Sequence, residues 1–443
     1  MKTSSLLGHV VEVLDIVLPG RRPADTVIRE FFRARHYLGS SDRRFIAERT
    51  FDVLRNHRLL TVRSRVALGT SGGREENHGL ASVILVAAHE ATCAAREGKD
   101  LETDIAALWK ASVCDADCGG FIDAVIRAEL PEDIRRDGTR MMAVSRSIPE
   151  FVAAEWIARF GPVEAEALCA ASNGSAPVAL RANTLKGGVE ECRAALAREG
   201  IAAVPGTLSP VGLVLPKRIN AHGLHAFRQG LFEMQDEGSQ LVSMLLEVRP
   251  GMTVLDACAG AGGKTLHLAA MMQNRGKIVA CDVDPKKLEN LVVRARRAGV
   301  TIAEPALVGR EGGGPAPEGA DAVLVDAPCT GVGTFRRNPG AKLQCTEEDS
   351  RTLAAHQREL LERYAHSVRS RGRLVYSTCT LLRRENQDVV GEFLSAHPEF
   401  SLTPAGAVLG WQHVAYPAAE TYMELFPHRT GTDGFFAAVL ARS

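Results

Sequence analysis

From Met252 onward, short apolar runs alternate with longer segments in which apolar residues recur at helical spacing. The runs at 254–256, Lys277–Asp282, 322–326 and 373–377 are too short for helices and end in turn or polar residues, which is how strands buried on both faces read. Between them, 264–272, Pro285–Ala298 and about 349–368 carry the helical period; in the last, Leu353, Leu360, Leu361 and Tyr364 share one face. Residues 434–440 read as a closing strand. Strands alternating with helices predict an α/β domain with a doubly wound, mostly parallel sheet.

The earlier part of the chain reads differently. Residues 1 to about 145 show helical spacing alone: Leu101, Ile105, Leu108 and Trp109 form one stripe, and Ile46, Val53 and Leu54 mark another. Residues 69–79, rich in glycine, predict a loop between helices, and 311–319, rich in glycine and proline, a surface loop. The stretch between mixes a helix over 153–160 and 163–171 with strand-like pieces at 178–182 and 212–216. The expected domains are therefore a helical 1–145, a small α+β module over 146–240 and an α/β domain over 241–443. No internal repeat is present.

Composition changes this picture little. At 443 residues, 45% hydrophobic and 24% charged, the chain is globular and long enough for two to four domains of ~100–200 residues. Its 53 basic and 53 acidic residues cancel, so nothing at whole-chain level advertises a polyanionic partner. Locally it is lopsided: from Arg21 to Arg65 there are twelve arginines and five acids. Those helices either carry solvated basic faces or track phosphates. Ten cysteines at irregular spacing lack the density of a secreted disulfide framework, which predicts a reducing cytoplasm. Cys114 and Cys118 are the one close pair, and no further ligands stand at metal-binding spacing, so no metal is expected. The apolar stretch 6–18 is interrupted by His9, Glu12 and Asp15 and predicts a helix rather than a signal peptide; no run reaches the ~20 apolar residues of a membrane span.

The first strand of the α/β domain ends at Asp256 and runs through Ala257, Cys258, Ala259, Gly260, Ala261, Gly262 and Gly263 into Lys264 and Thr265, the start of a helix. Glycines there let the backbone pass close to a ligand. Asp282, twenty residues after Gly262 at the end of the second strand, is placed to accept hydrogen bonds from a ribose diol. A tight turn followed by a capping aspartate is the plainer alternative. A phosphate-binding loop needs glycine where Cys258 stands, and a dinucleotide fingerprint needs glycine where Thr265 stands. The spacing Asp256-x-x-x-Gly260-x-Gly262 instead resembles that of S-adenosylmethionine-dependent methyltransferases with a Rossmann-like core.

Two cysteines sit just past strands: Cys329 in Asp326-Ala-Pro-Cys-Thr-Gly331, and Cys379 in Tyr376-Ser-Thr-Cys-Thr380. In an open α/β sheet, ligands bind beyond the carboxyl ends of the strands, so the two loops face one cleft. A lone cysteine is more often a small buried hydrophobe than a catalyst. Beside a methyl donor, though, a thiol solves a specific difficulty. Carbon 5 of cytosine is too electron-poor to take a methyl group unaided, and a thiolate adding to carbon 6 makes it nucleophilic. Negative charge then develops toward ring nitrogen 3, where Asp326 could serve as the acid. A second cysteine could help expel the first. The residues by themselves do not say which cysteine does which.

Together these motifs resemble the Nop/Sun family of RNA cytosine-5 methyltransferases, most of all its bacterial Sun/Fmu branch. The resemblance extends over nearly the whole chain: Tyr37-Leu-Gly-Ser-Ser-Asp42-Arg-Arg-Phe45, Leu180-Arg-Ala-Asn183-Thr-Leu185, Gln235-Asp-Glu-Gly-Ser239-Gln-Leu241, the glycine turn, Asp326-Ala-Pro-Cys329, Arg336-Arg-Asn-Pro339, Thr378-Cys379, Glu385-Asn386 and Thr432-Asp-Gly-Phe-Phe436. It implies a class I methyltransferase core preceded by an α+β module and an all-α NusB-like RNA-binding domain. Cys379 would be the nucleophile and Cys329 the group that promotes product release. Cys258, Ala259, Gly260, Ala261, Gly262, Gly263, Lys264, Asp282 and Asp326 would line the cofactor pocket, with Asp326 also contacting the base.

Three departures stand out. The family's Ala-Pro-Gly-Gly-Lys turn is Gly260-Ala261-Gly262-Gly263-Lys264 here. Its Gly-Asp after the third strand is Gly309-Arg310-Glu311, so no adenine-binding acid is assigned. Its acid and tryptophan after the Arg-Arg-x-Pro turn are Gly340 and Leu343. The expectation is a cytoplasmic, monomeric enzyme that takes a methyl group from S-adenosylmethionine to a cytidine of RNA. 16S ribosomal RNA is the expected substrate and transfer RNA the alternative. A non-enzymatic RNA-binding or antitermination module would explain the arginines and leave both thiol motifs idle.

Overall fold

A computed structural model describes residues 1–20, 22–69, 81–97, 102–112, 117–309 and 318–443. Arg21, Leu101, Cys114, Arg310, Glu311 and most of the loops expected at 69–79 and 311–319 lie outside the described residues. The chain divides into two compact units, Met1–Gly174 with Phe335–Thr346, and Ser175–Thr334 with Glu347–Ser443.

The first unit is helical. Leu7, Val10 and Leu14 of the helix Thr3–Val17 share a core with Ile46, Val53 and Leu54 of Ser40–Arg55, with Val86 of Ser82–Glu97 and with Ile105 and Trp109 of Glu102–Ser112. Its last helix, Glu150–Asn173, runs through the two pieces expected at 153–160 and 163–171. Gly161 (φ 77°, ψ 166°) kinks it, and Pro162 restarts it because a first-turn residue needs no N–H partner. The unit boundary therefore falls after Gly174. The expected limit at 145/146 lies between the helices Gly138–Ser145 and Glu150–Asn173 of this same unit, and the one at 240/241 lies within the helix Glu237–Met244. Segment Phe335–Thr346 leaves the second unit to join this one. Its Lys342 Nζ donates to Arg55 O at 3.0 Å and to Asn173 Oδ1, and Leu343 packs against the helical core. Burial pushes the Lys342 ammonium down to about 7.

The second unit carries both sheets. Strands β1 (Val178–Ala182), β2 (Val204–Pro205), β3 (Gly212–Leu215) and β4 (Phe232–Met234) form an antiparallel sheet of order β2-β3-β1-β4. The larger sheet contains β5 (Thr253–Asp256), β6 (Lys277–Asp282), β7 (Ala303–Leu307), β8 (Ala320–Asp326), β9 (Val368–Thr378), β10 (Phe400–Thr403) and β12 (Phe435–Arg442), in the order β10-β12-β9-β8-β5-β6-β7; β11 (Met423–Leu425) pairs with β12. β5 to β9 pair in parallel, and β12 runs antiparallel to both β9 and β10. Alternate residues enter opposite cores: Val254, Ile278, Leu324 and Val375 on one face, Leu255, Val279, Val323 and Leu374 on the other. The chain winds outward through β6 and β7 on one side and through β8 and β9 on the other. The order thus reverses between β5 and β8, where such sheets open a crevice at the strands' carboxyl ends.

The small sheet is fastened to this core by the motifs that precede it. Asn183 Nδ2 donates to Gly230 O and to Ala298 O, each at 2.8 Å. Asp236 Oδ1 caps the helix Glu237–Met244 through Gly238 N at 2.9 Å and also accepts from Asp433 N at 3.3 Å. Buried Glu237 accepts from Leu208 N and Ser209 N, both at 2.9 Å.

Candidate active site

At the end of β5, Gly260 (φ 56°) and Gly262 (φ 83°) take the left-handed conformation that side-chain-bearing residues avoid. A Cβ on Gly262 would lie 2.6 Å from Leu291 Cγ, so the turn packs tightly where it enters the helix Gly263–Met271; a Cβ on Gly260 would meet nothing within 4 Å. Ala259 N donates to Cys281 O of β6 at 2.8 Å. Two arginines hold the turn's carbonyls: Arg294 Nη1 donates to Ala261 O and Arg181 Nη1 to Gly263 O, each at 2.7 Å. Arg294 and Arg297 both pair with buried Glu233. These supporting residues escaped the reading of motifs, although Arg181 stands inside Leu180-Arg-Ala-Asn183.

The carboxylates around the turn decide what it can hold. Asp282 accepts from Gly260 N at 2.8 Å through Oδ2 and from Asp284 N at 2.9 Å through Oδ1, leaving a lone pair on each oxygen for a vicinal diol. Buried Asp256 accepts from Thr265 Oγ1 at 2.7 Å, while its Oδ1 has no partner. Burial pushes its carboxyl up to about 7 and drives the Cys258 thiol well above its ordinary range. An unpartnered acceptor, an acid with a free lone pair on each oxygen and an open approach at Gly260 would suit a nucleoside whose far end is cationic rather than phosphorylated.

Lys264, in the first turn of the same helix, donates from Nζ to Asp326 Oδ2 at 2.5 Å. Asp326 Oδ1 accepts from Ser377 Oγ at 2.8 Å. Burial opposes the Lys264 charge, but the Asp326 carboxylate outweighs it and the ammonium is held above its ordinary range. The Phe435 ring lies 5.8 Å from Nζ.

Parallel pairing sets Asp326 of β8 against Ser377 of β9, so the loops that follow the two strands emerge side by side. Their thiols meet: Cys329 Sγ lies 3.4 Å from Cys379 Sγ, both half-buried and free. Hydrogen bonding to Cys379, then burial, pushes the Cys329 thiol well up, which keeps its proton on; in the contact itself either sulfur can donate. Beside them Gly333 N donates to Cys379 O at 2.9 Å, and Gly434 N to Gly333 O at 2.8 Å. The expected site residues thus gather into two adjoining sets, Cys258 to Gly263 with Asp282, and Cys329, Cys379 and Asp326 with Lys264. Among the described residues no three His, Cys, Asp or Glu side chains group as a metal site, and no helix is long and apolar enough to cross a membrane.

In the helical unit, much of the arginine excess is paired internally. Arg22 meets Glu30, Arg29 meets Asp25, Arg35 meets Glu12, Arg49 meets Glu90 and Arg55 meets Asp52. Arg33 and Arg44 are exposed and make no ion pair among the described residues.

The profile of the family described as 16S rRNA methyltransferase RsmB/F matches residues 243–441, and that of an RsmF/B-like ferredoxin-like domain matches 148–222. Two relatives are named "Probable ribosomal RNA small subunit methyltransferase B". The one from Bacillus subtilis is 35% identical over 72% of this chain and 71% of its own length. The one from Synechocystis is 30% identical over 92% of this chain and 93% of its own length. The crystal structure of PH0851 superposes with a TM-score of 0.78 at 27% identity, covering 99% of each chain.

Proposed function

The chain belongs to the RsmB/F family of 16S rRNA methyltransferases, and from that premise we propose that it methylates carbon 5 of a cytidine in 16S ribosomal RNA through a covalent cysteine–cytosine adduct. The observation that carries this reading is the pair of thiols 3.4 Å apart, next to the pair formed by Lys264 and Asp326. S-adenosylmethionine is the cofactor, and when bound it supplies a methyl group made electrophilic by its sulfonium. Asp282 would accept the ribose hydroxyls, Gly260 would leave room for the ligand's passage, and Asp256 would offer its unpaired oxygen.

The Cys379 sulfur bonds to carbon 6 of the flipped-out base, and the electron pair of the C5–C6 double bond moves toward C5 and N3. As negative charge gathers at N3, a proton passes to it through the Asp326 carboxyl from the Lys264 ammonium, which is left neutral. Once C5 carries the new methyl group, solvent acting as base takes the C5 hydrogen as a proton and leaves the electrons of that C–H bond behind. Those electrons then re-form the double bond and break the bond from sulfur to C6. Cys329, with its S–H directed at the Cys379 sulfur, stabilises the departing thiolate. Residues 1–145 serve as the NusB-like RNA-binding domain, whose exposed arginines meet phosphates without reading sequence.

Trapping tests the scheme. RNA containing 5-azacytidine is expected to form a covalent complex with the wild-type protein and none with Cys379→Ser, whereas Cys329→Ala accumulates an adduct on ordinary cytidine. A complex that survives in Cys379→Ser refutes the nucleophile, and normal turnover by Cys329→Ala refutes the release role.

A further inference from the structure

Glu385 is fully buried, yet among the described residues no arginine or lysine bonds its carboxylate. Its four donors are Thr330 N at 2.9 Å, Thr330 Oγ1 at 2.7 Å, Ser350 Oγ at 3.0 Å and Gln357 Nε2 at 3.0 Å. An acid kept in a dry interior by neutral donors is expensive to retain unless its geometry matters. Two of those donors belong to the residue that follows Cys329. A third, Gln357 Nε2, uses its other hydrogen on Pro328 O at 2.9 Å, so both neighbours of Cys329 in the chain are held by one network.

The network continues to the other thiol. Thr330 has one hydroxyl proton, and the carboxylate can only accept, so the 2.9 Å contact between Thr330 Oγ1 and Thr380 Oγ1 has Thr380 as its donor. Thr380 follows Cys379. The next residue after Glu385 completes the bracket: Asn386 Oδ1 accepts from Thr378 Oγ1 at 2.6 Å, and Asn386 Nδ2 donates to Thr380 O at 3.0 Å. Tyr376 OH donates to Glu385 O at 2.6 Å and ties the pair back to β9. Adjacent side chains thus each grip one thiol loop, Glu385 that of Cys329 and Asn386 that of Cys379, with the hydroxyls of Thr330 and Thr380 as the link between them.

We infer that Glu385 and Asn386 are positioning residues that set the separation of the Cys329 and Cys379 sulfurs, and that through it they govern release of the methylated base from Cys379. The release part of this inference rests on the proposed cysteine–cytosine chemistry; the spacing part does not. Neither side chain touches substrate. They act by keeping the Cys329 S–H within reach of the sulfur that must leave, where a displacement of about 1 Å is enough to lose on the order of a hundredfold in rate.

Two variants of the full-length protein test this. Thr330→Val keeps the volume and removes the hydroxyl that links Thr380 to Glu385. Glu385→Gln keeps the shape and replaces one acceptor with a donor. Without RNA, the oxidant diamide takes up the two thiol hydrogens, and mass spectrometry of peptides follows the disulfide between Cys329 and Cys379. Both variants are expected to form it on the order of tenfold more slowly than wild type. With RNA and S-adenosylmethionine, both are expected to form the adduct and release it more slowly, so that covalent RNA persists. Thiol pairing and release at wild-type rates in Thr330→Val would overturn the inference. So would a lowered melting temperature in either variant with thiol pairing unchanged. If wild type itself forms no RNA adduct, the proposed chemistry fails, and the diamide rates still decide whether the clamp sets the spacing.

Discussion

Lys264 Nζ lies 2.5 Å from Asp326 Oδ2 and joins the first turn of the helix Gly263–Met271 to the end of β8. Ser377 fills the second carboxylate oxygen, so the cation is the only charged partner bonded to Asp326 among the described residues. Lys264→Met leaves that acid without a countercharge at the point where, in the proposed scheme, cytosine N3 gathers electrons. Single-turnover methylation is expected to slow about a hundredfold, the scale of one lost acid–base contribution. Stability should fall by about 3 kcal/mol, the low end for breaking a buried pair, because Asp326 keeps 28% of its side chain exposed. Unchanged turnover in this variant would remove the pair from the chemistry.

Asp256 gives the protein a pH dependence of definite sign. Its carboxyl is pushed up to about 7 by burial, from 3.8 in the unfolded chain. Between those values the unfolded chain has released the proton and the folded one still holds it, so stability falls as pH rises through the window. The loss is complete above about pH 7 and amounts to roughly 4 kcal/mol for a shift of this size. Asp256→Asn removes the titration while its amide oxygen can still accept from Thr265. Urea midpoints of the cofactor-free protein from pH 5 to pH 8 should fall less steeply in the variant. Parallel slopes would mean that another group carries the dependence.

Pairing inside the helical unit narrows the expected RNA contact to particular arginines. Those held by Glu30, Asp25, Glu12, Glu90 and Asp52 are already compensated, whereas Arg33 and Arg44 stand exposed. Reversing both, Arg33→Glu with Arg44→Glu, is expected to lower the slope of log affinity against log salt by about 2, one for each lost phosphate contact. Binding to a ribosomal RNA fragment across a potassium chloride series measures it. An unchanged slope would take these helices out of phosphate tracking.

What could be read in advance follows from how local the cause is. Lys277–Asp282 and Pro285–Ala298 emerge with their expected limits because a short apolar run closed by charged residues, a proline at the helix start and a glycine after its end all act within a few residues. β7 stayed hidden because Glu304 and Pro305 interrupt its apolar run; it pairs only with β6, and an edge strand tolerates both. Gly161 and Pro162 part the two pieces of the helix expected over 153–160 and 163–171, and in the structure they kink one continuous helix, Glu150–Asn173. Cys329 and Cys379 were legible singly, each just past a strand. Their meeting depends on the register of Asp326 against Ser377, which neither motif contains. Glu385 was legible only as a letter in a family motif, since its donors come from segments 28 to 55 positions away.

Gly333 offers the sharpest check on how closely the thiol loops are stacked. It lies between two backbones, donating to Cys379 O and accepting from Gly434 N, and a Cβ built on it would stand 2.3 Å from Gly434 O and 2.7 Å from Cys379 O. Both obstacles are main-chain atoms, and no side-chain rotation relieves them. Gly333→Ala must therefore push the Cys379 loop away from β12, at about 1–3 kcal/mol of stability, the usual range for forcing one extra carbon into a packed interior. Gly391 is the control. In the helix Gln387–Ala396 its Cβ would meet nothing within 4 Å, so Gly391→Ala should stabilise by about 0.5–1 kcal/mol. Denaturant melts separate the two signs, and the rate at which iodoacetamide alkylates Cys379 reports whether its loop has moved. If Gly333→Ala melts like its control and Cys379 reacts at the wild-type rate, the three segments are not in the close contact on which the thiol geometry depends.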